Sequence, residues 1–164
     1  MADVYSAVRD DFTFLARNRR GYGFSAFINI LLAVETDMLL FRNTSPSVVV
    51  RLFEQIPSIP DAGSGVRSVF RIYKNPTVTA DGTAVSIGAL RNNQAASICQ
   101  AFSLPTISAR GILVNVYGII NTPVIRNLSL ARFVEPGESI LFTATPSAVA
   151  TNHGLTQAWS ETPP

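Results

Sequence analysis

The stretch Val66-Arg-Ser-Val-Phe-Arg-Ile-Tyr73 decides the fold. Val66, Ser68, Phe70 and Ile72 alternate with Arg67, Val69, Arg71 and Tyr73, and a period of two puts each set on its own face of an extended chain. The arginine-bearing face meets solvent or a partner, so the other face needs a core. Strand signals continue on both sides of this stretch. Upstream, Phe24 to Glu35 and Met38 to Asn43 are rich in Phe, Ile, Leu and Val, and Thr44-Ser-Pro-Ser47 turns the chain into Val48 to Phe53. Pro57 to Gly65, with two prolines and two glycines, reads as an irregular loop. Downstream, Asp81-Gly82 lies between Val78-Thr79 and Thr83-Ala-Val85. It reads as a hairpin turn, because a two-residue turn needs the positive φ that Asp and Gly tolerate. Further strands are expected over Ile112 to Ile120, Arg126 to Val134, Ser139 to Thr145 and Thr156 to Glu161, with a turn at Glu135-Pro-Gly-Glu138. About eight to ten strands at a spacing of roughly 8–12 residues, with little helix, is the pattern of an antiparallel sandwich or barrel.

Residues 1–22 differ. Tyr5, Val8, Phe12 and Leu15 recur at steps of three and four, which suits a short amphipathic helix, and Asn18-Arg-Arg-Gly-Tyr-Gly23 then breaks it. The expected organisation is an N-terminal arm or helix over 1–22 and a sandwich domain over 23–164. The arm's apolar face is equally suited to its own domain or to a neighbour. Arg17, Arg19 and Arg20, with Tyr22 close by, form a small basic and aromatic cluster, and pairing with carboxylates on a protein partner is its expected use. Phe12, Leu15, Arg17, Arg19, Arg20 and Tyr22 are therefore the expected partner-contact residues.

Composition excludes more than it assigns. The 164 residues include one histidine, one cysteine and one lysine, whereas catalytic and metal sites draw mainly on His, Cys, Asp, Glu and Lys. Hydrophobic residues make up 47% and charged residues 15%, against about 25% charged in an ordinary soluble domain. A surface so poor in charge suits a subunit packed against copies of itself or a partner. The net charge of +2 gives no sustained basic face, so no nucleic-acid partner is expected. Cys99 is alone, which leaves no intrachain disulfide and makes it a small buried hydrophobe by expectation. No leader pattern precedes the acidic start, and the apolar run Phe24 to Val34 falls short of the ~20 residues of a membrane helix. Synthesis in a reducing cytoplasm, with no membrane partner, is the expectation.

Candidate chemistry is thin. His153 sits in Ala150-Thr-Asn-His-Gly154, a turn composition, and reads as an exposed loop histidine rather than a catalytic base. The pairs Glu35 with Asp37 and Glu135 with Glu138 flank turns, where carboxylates are normally solvated, and their spacing is not that of a calcium loop. No catalytic, cofactor-binding or metal residue is assigned. Gly21-Tyr-Gly-Phe-Ser-Ala26 echoes a dinucleotide fingerprint but lacks the strand before it and the helix after it.

Five phrases recur in one order: Glu35-Thr-Asp-Met-Leu-Leu-Phe-Arg-Asn43, the block from Phe70 to Thr83, Pro105-Thr-Ile-Ser-Ala-Arg-Gly111, Phe133 to Phe142, and Ala158-Trp-Ser-Glu161. Together, over residues 28–161, they resemble the small β-sandwich virion proteins of tailed bacteriophages, the proteins that decorate and cement the head shell. The resemblance implies a jelly-roll-like sandwich, attachment to the major capsid protein on the outside of the capsid, often as a homotrimer, and no enzymatic activity. It makes Asp81, Gly82, Pro136 and Gly137 turn residues and puts Trp159 in the core of the last strand. The basic segment 1–22 has no counterpart in it. Two other readings stay open: a tail-fibre or baseplate module whose loops 57–65 and 146–155 touch a host receptor or glycan, and an all-β carbohydrate-active enzyme using Glu35, Glu135 or Glu138.

Overall fold

The computed structural model describes residues 20–59, 66–90, 94–120, 132–148 and 151–161. The expected N-terminal helix, with Phe12, Leu15, Arg17 and Arg19, lies outside them. Thirteen strands run in order: β1 (Arg20–Ile30), β2 (Thr36–Asn43), β3 (Val50–Ser58), β4 (Arg67–Lys74), β5 (Thr77–Ala80), β6 (Thr83–Ala84), β7 (Gly88–Ala89), β8 (Cys99–Ser103), β9 (Thr106–Ala109), β10 (Ile112–Ile120), β11 (Arg132–Val134), β12 (Ser139–Pro146) and β13 (Thr151–Glu161). Arg20 to Tyr22, read in sequence as the end of an arm, are already the first rungs of β1, opposite Glu161, Ser160 and Trp159.

Eight of these strands form two antiparallel sheets in the orders β11-β3-β13-β1 and β10-β4-β12-β2. The chain alternates between the sheets from β1 to β4 and again from β11 to β13, while β4 and β10 are neighbours in one sheet. This is the strand order of a jelly roll, the double Greek key. The segment joining β4 to β10 is long and carries five more strands. Within it, β8 extends the second sheet beside β2, β7 pairs with the start of β1, and β5 and β9 form a separate two-stranded ribbon.

The inner faces are apolar because each strand alternates. On β4, Ser68, Phe70 and Ile72 are buried while Arg67 is exposed, as the period of two requires. Trp159 of β13 is fully buried and touches rings from both sheets: Tyr22 and Phe24 of β1 at 6.1 and 5.8 Å between ring centroids, and Phe41 of β2 at 4.9 Å, edge-on. Such tilted and edge-on pairs add to the area they bury. Phe70 stacks on Tyr117 at 5.5 Å and continues the core along β4 and β10.

Three local expectations change. Asp81-Gly82 closes no hairpin and forms an irregular link between two sheets: β5 pairs with β9, and β6 with β8. Gly82 has φ +87°, and a Cβ there would overlap the backbone oxygens of Ser103 and Leu104, so the turn packs against the β8–β9 connection instead of joining its own flanking strands. Pro57 and Ser58 belong to β3, not to a loop. Among the described residues β11 covers β3 only at Val50 to Leu52, which leaves that side unpaired at Pro57, where a missing N–H breaks no ladder bond. Finally, β1 ends at Ile30, and residues 31–34 form an exposed bend rather than more strand. The turn at Glu135 to Glu138 forms as expected, with Gly137 at φ +77° and the Glu138 amide donating to the Glu135 carbonyl at 3.0 Å.

Asn43 joins the two turns at one end of the sandwich. Its buried Nδ2 donates to the carbonyls of Val48, Val134 and Glu135 at 2.8, 3.0 and 3.1 Å, and its Oδ1 accepts from the Ser45 amide. Asn43→Asp keeps the shape but sets a carboxylate oxygen against three carbonyl oxygens. Chemical denaturation should show a loss of at least about 1–3 kcal/mol, the cost of leaving such groups unsatisfied. An unchanged midpoint would contradict this role.

Candidate functional site

On the outer face of the second sheet a cluster of charged groups ties the sheet to the β4–β10 insertion. Leu40 and Leu141 face each other across β2 and β12 and are fully buried although they point away from the main core. Tyr73 and Thr143 share that face, and with them Glu35 makes a polar cluster. Glu35 Oε1 accepts from Thr143 Oγ1 at 2.6 Å and from the Tyr73 hydroxyl at 2.9 Å. Its Oε2 faces Arg110 Nη1 at 3.2 Å and Arg71 Nη1 at 3.6 Å. Arg110, just after β9, also donates from Nε to Asp37 Oδ1 at 2.7 Å and from Nη2 to the Glu35 carbonyl at 3.0 Å. At the far end of the ribbon, Arg42 of β2 grips Asp81 with both terminal nitrogens, at 2.7 and 3.2 Å, while its guanidinium lies over the Phe102 ring. Lys74 and Glu138 pair at 2.6 Å beside the start of β12. Glu35, Asp37 and Glu138, expected as solvated turn carboxylates, are therefore each engaged by a cation: Glu35 and Asp37 tie Arg110 of the insertion to the sheet, and Glu138 ties β4 to the turn before β12.

This electrostatic pattern suits structure better than acid–base chemistry. Burial raises the Glu35 carboxyl, but the hydrogen bonds from Thr143 and Tyr73 and the charges of Arg110 and Arg71 outweigh it and hold the group below its ordinary value. Burial likewise raises Glu138, and Lys74 with the Glu135 amide brings it below normal. Glycoside cleavage needs a carboxyl held protonated by a raised pKa, and these two are shifted the other way.

His153 is not on an exposed loop. It lies inside β13, fully buried, with Nε2 2.7 Å from Ser68 Oγ, Nδ1 2.9 Å from the Thr151 carbonyl and its ring against Phe70. Its pKa is lowered by burial, with the Thr151 carbonyl acting in the opposite direction. The serine–histidine contact has no opening to solvent, since Ser68 is buried as well. Cys99 is buried, and burial with the nearby Glu161 charge pushes its thiol far up. Among the described residues no three His, Cys, Asp or Glu side chains come together as a metal site.

The expected contact residues divide. Phe12, Leu15, Arg17 and Arg19 are outside the described residues, and Arg20 opens β1. Tyr22 is a correction: it is 1% exposed, rests on Trp159 and donates its hydroxyl to the Ala95 carbonyl at 2.8 Å, so it is a core residue and offers no surface to a partner. The proposed receptor loop 146–155 also shrinks, because Thr151 onward is strand. The surface that stands out is apolar. Phe27, Leu31, Leu32 and Val34 are exposed along β1 and the bend after it, as are Ile112, Leu113, Val114 and Val116 of β10. The signal for them was in the sequence: Phe24 to Val34 and Ile112 to Ile120 contain no charged residue.

Acid should weaken the fold in two stages. His153 is held below its ordinary 6.5, so the unfolded chain takes up that proton first and stability falls as pH drops below 6.5. Glu35 and Glu138 are held below 4.5, so the stability they contribute is present above 4.5 and is lost as pH falls through their lower folded values. Urea midpoints from pH 8 to 3 should show both slopes, and a flat profile would contradict both assignments. Arg110→Ala should lower amide-exchange protection in β5 and β9 while the Leu39 to Phe41 amides keep theirs. Equal loss in both would show that Arg110 is not a local anchor of the ribbon.

No family model matches the chain, and no curated protein matches it. Among solved structures it is similar to infectious bursal disease virus Gt strain, with TM-score 0.22 and 12% identity over 90% of this chain and 43% of that one. It is also similar to the VP2 subviral particle of infectious bursal disease virus, with TM-score 0.14 and 11% identity over 88% of this chain and 40% of that one. The chain spans about two fifths of the length of these structures. At these TM-scores the likeness does not establish a shared fold.

Proposed function

We propose that this chain is a structural virion protein that binds the outside of a bacteriophage capsid, contacts its major capsid protein and stabilises the shell as a homo-oligomer. The observation that carries this reading is the strand order β11-β3-β13-β1 over β10-β4-β12-β2. That jelly roll serves viral capsid and lectin domains and the cupins. A cupin-like use needs convergent ligands inside the barrel, and this interior is filled by Trp159, Phe41, Phe70, Phe142 and their neighbours. A lectin-like use needs a polar and aromatic cradle, whereas among the described residues the exposed large hydrophobic side chains are aliphatic apart from Phe27 and Phe133.

Sparse charge and apolar edges fit a protein that adds many modest contacts across the seams of a shell, where oligomer valency multiplies each one. The three-fold arrangement implied by the bacteriophage resemblance suits local three-fold positions. The basic arm supplies the remaining contact through Arg17 and Arg19. Removing residues 1–19 leaves every described strand intact, since β1 is described from Arg20.

Purified heads lacking this protein provide the test. The full chain should co-sediment with them saturably and raise the temperature at which they release DNA. A variant without residues 1–19 should keep its β-sheet circular dichroism and fail to co-sediment. A folded full chain that ignores the heads would overturn the capsid reading, and a shortened chain that still binds would overturn the arm's part in it.

A further inference from the structure

Among the described residues, each flank of the sandwich carries an open edge free of charge and proline. On one flank, β7 pairs with β1 only at Tyr22 and Gly23, so among the described residues Phe24 to Ile30 has no strand on its outer side. On the other flank, the nine-residue β10 ends the strand order of the second sheet, and none of the described strands lies beyond it. An unpaired edge is a template for another strand, and soluble proteins usually blunt it with lysine, proline or inward charge. Neither Phe24 to Ile30 nor Ile112 to Ile120 contains a charged residue or a proline. Both also carry exposed apolar side chains: Phe27 at 68% followed by Leu31 and Leu32, and Ile112 at 67% with Leu113, Val114 and Val116.

β1 and β10 end different sheets, and β13, the neighbour of β1, meets β2 through Trp159 and Phe41 and β4 through His153 and Phe70, which sets β1 and β10 at opposite sides of the sandwich. Among the described residues each copy thus presents two neutral, apolar edges at opposite sides, seven residues of β1 and nine of β10. A second copy suits both at once, offering a ladder long enough to cover the seven open residues of β1 and the same lack of charge. Two different patches in contact make a heterologous interface, which closes into a ring when its rotation allows.

We propose that copies of this chain associate head to tail, the β10 edge of one adding to the open β1 edge of the next, into a closed ring. This deepens the self-association in the proposed function by naming its surfaces. It is read on the isolated chain, so failure to bind heads and failure to form the ring are separate results.

The test uses the full chain and two charge variants at exposed positions, Phe27→Lys/Leu32→Lys on the β1 flank and Val114→Lys/Val116→Lys on the β10 flank. Analytical ultracentrifugation of the unmodified chain should give one species of at least three copies of the 17.7 kDa subunit. Each variant alone should be a monomer. An equimolar mixture of the two should give a species of two copies, because each variant retains the edge that the other lost. A monomeric or dimeric unmodified chain would overturn the proposal. So would a variant mixture that stays monomeric, the result expected if each edge met only its own kind or a capsid subunit. Should a lysine variant lose its circular dichroism, Phe27→Ser and Val116→Thr replace it, with amide protection over 25–30 and 112–116 as the readout. Protection that depends on concentration supports the ring, and protection independent of concentration overturns it.

Discussion

Burial around Trp159 is the constraint from which the other features follow. A two-sheet protein of this length must bring the apolar faces of both sheets together, and here one indole joins Tyr22 and Phe24 of one sheet to Phe41 of the other. With the apolar alternation directed inward, the ion pairs lie on the outer face and at the turns, while Glu161 is buried and accepts from the Trp159 indole N–H. Tyr22 is drawn inward for the same reason, and its hydroxyl finds a carbonyl at Ala95 in the insertion. The insertion is therefore held from the core side as well as by its surface ion pairs.

Those ion pairs have a defined task. Glu35, Asp37, Arg71 and Arg110 lie where a third layer meets the second sheet, and Arg42 with Asp81 closes the other end of that layer. Exposed pairs contribute little singly. Here Arg110 and Arg42 tie both ends of the β5–β9 ribbon to the second sheet, through Asp37 and Glu35 at one end and Asp81 at the other. The same insertion pairs with β1 through β7 at Tyr22 and Gly23, and among the described residues no other strand lies on that side of β1.

Much of the fold was legible. Val66 to Tyr73 announces β4 by its alternation, Ile112 to Ile120 coincides with β10, and the Pro-Gly turn before β12 follows from backbone preference alone. The failures share one cause, which is that local patterns do not record distant partners. Asp81-Gly82 has hairpin chemistry, yet its strands pair elsewhere because Arg42, thirty-nine residues away in sequence, holds the turn. His153 looks like a turn residue beside Asn152 and Gly154, but Gly154 lies under the Phe27 ring and Ser68 waits across the core. Tyr22 stands among arginines and glycines, and only the pairing of β1 with β13 shows that it faces Trp159. The apolar edges were present as charge-free runs, but a run does not say whether its strand ends a sheet.

The central claim is that this jelly roll is a quantitative component of a virion shell, and counting its copies in purified particles of the source virus tests it most directly. Mass spectrometry with isotope-labelled standards for this chain and the major shell subunit gives the ratio. Decoration predicts copies comparable in number with the shell protein, in a multiple set by the oligomer. A handful of copies per particle, or none, would contradict it.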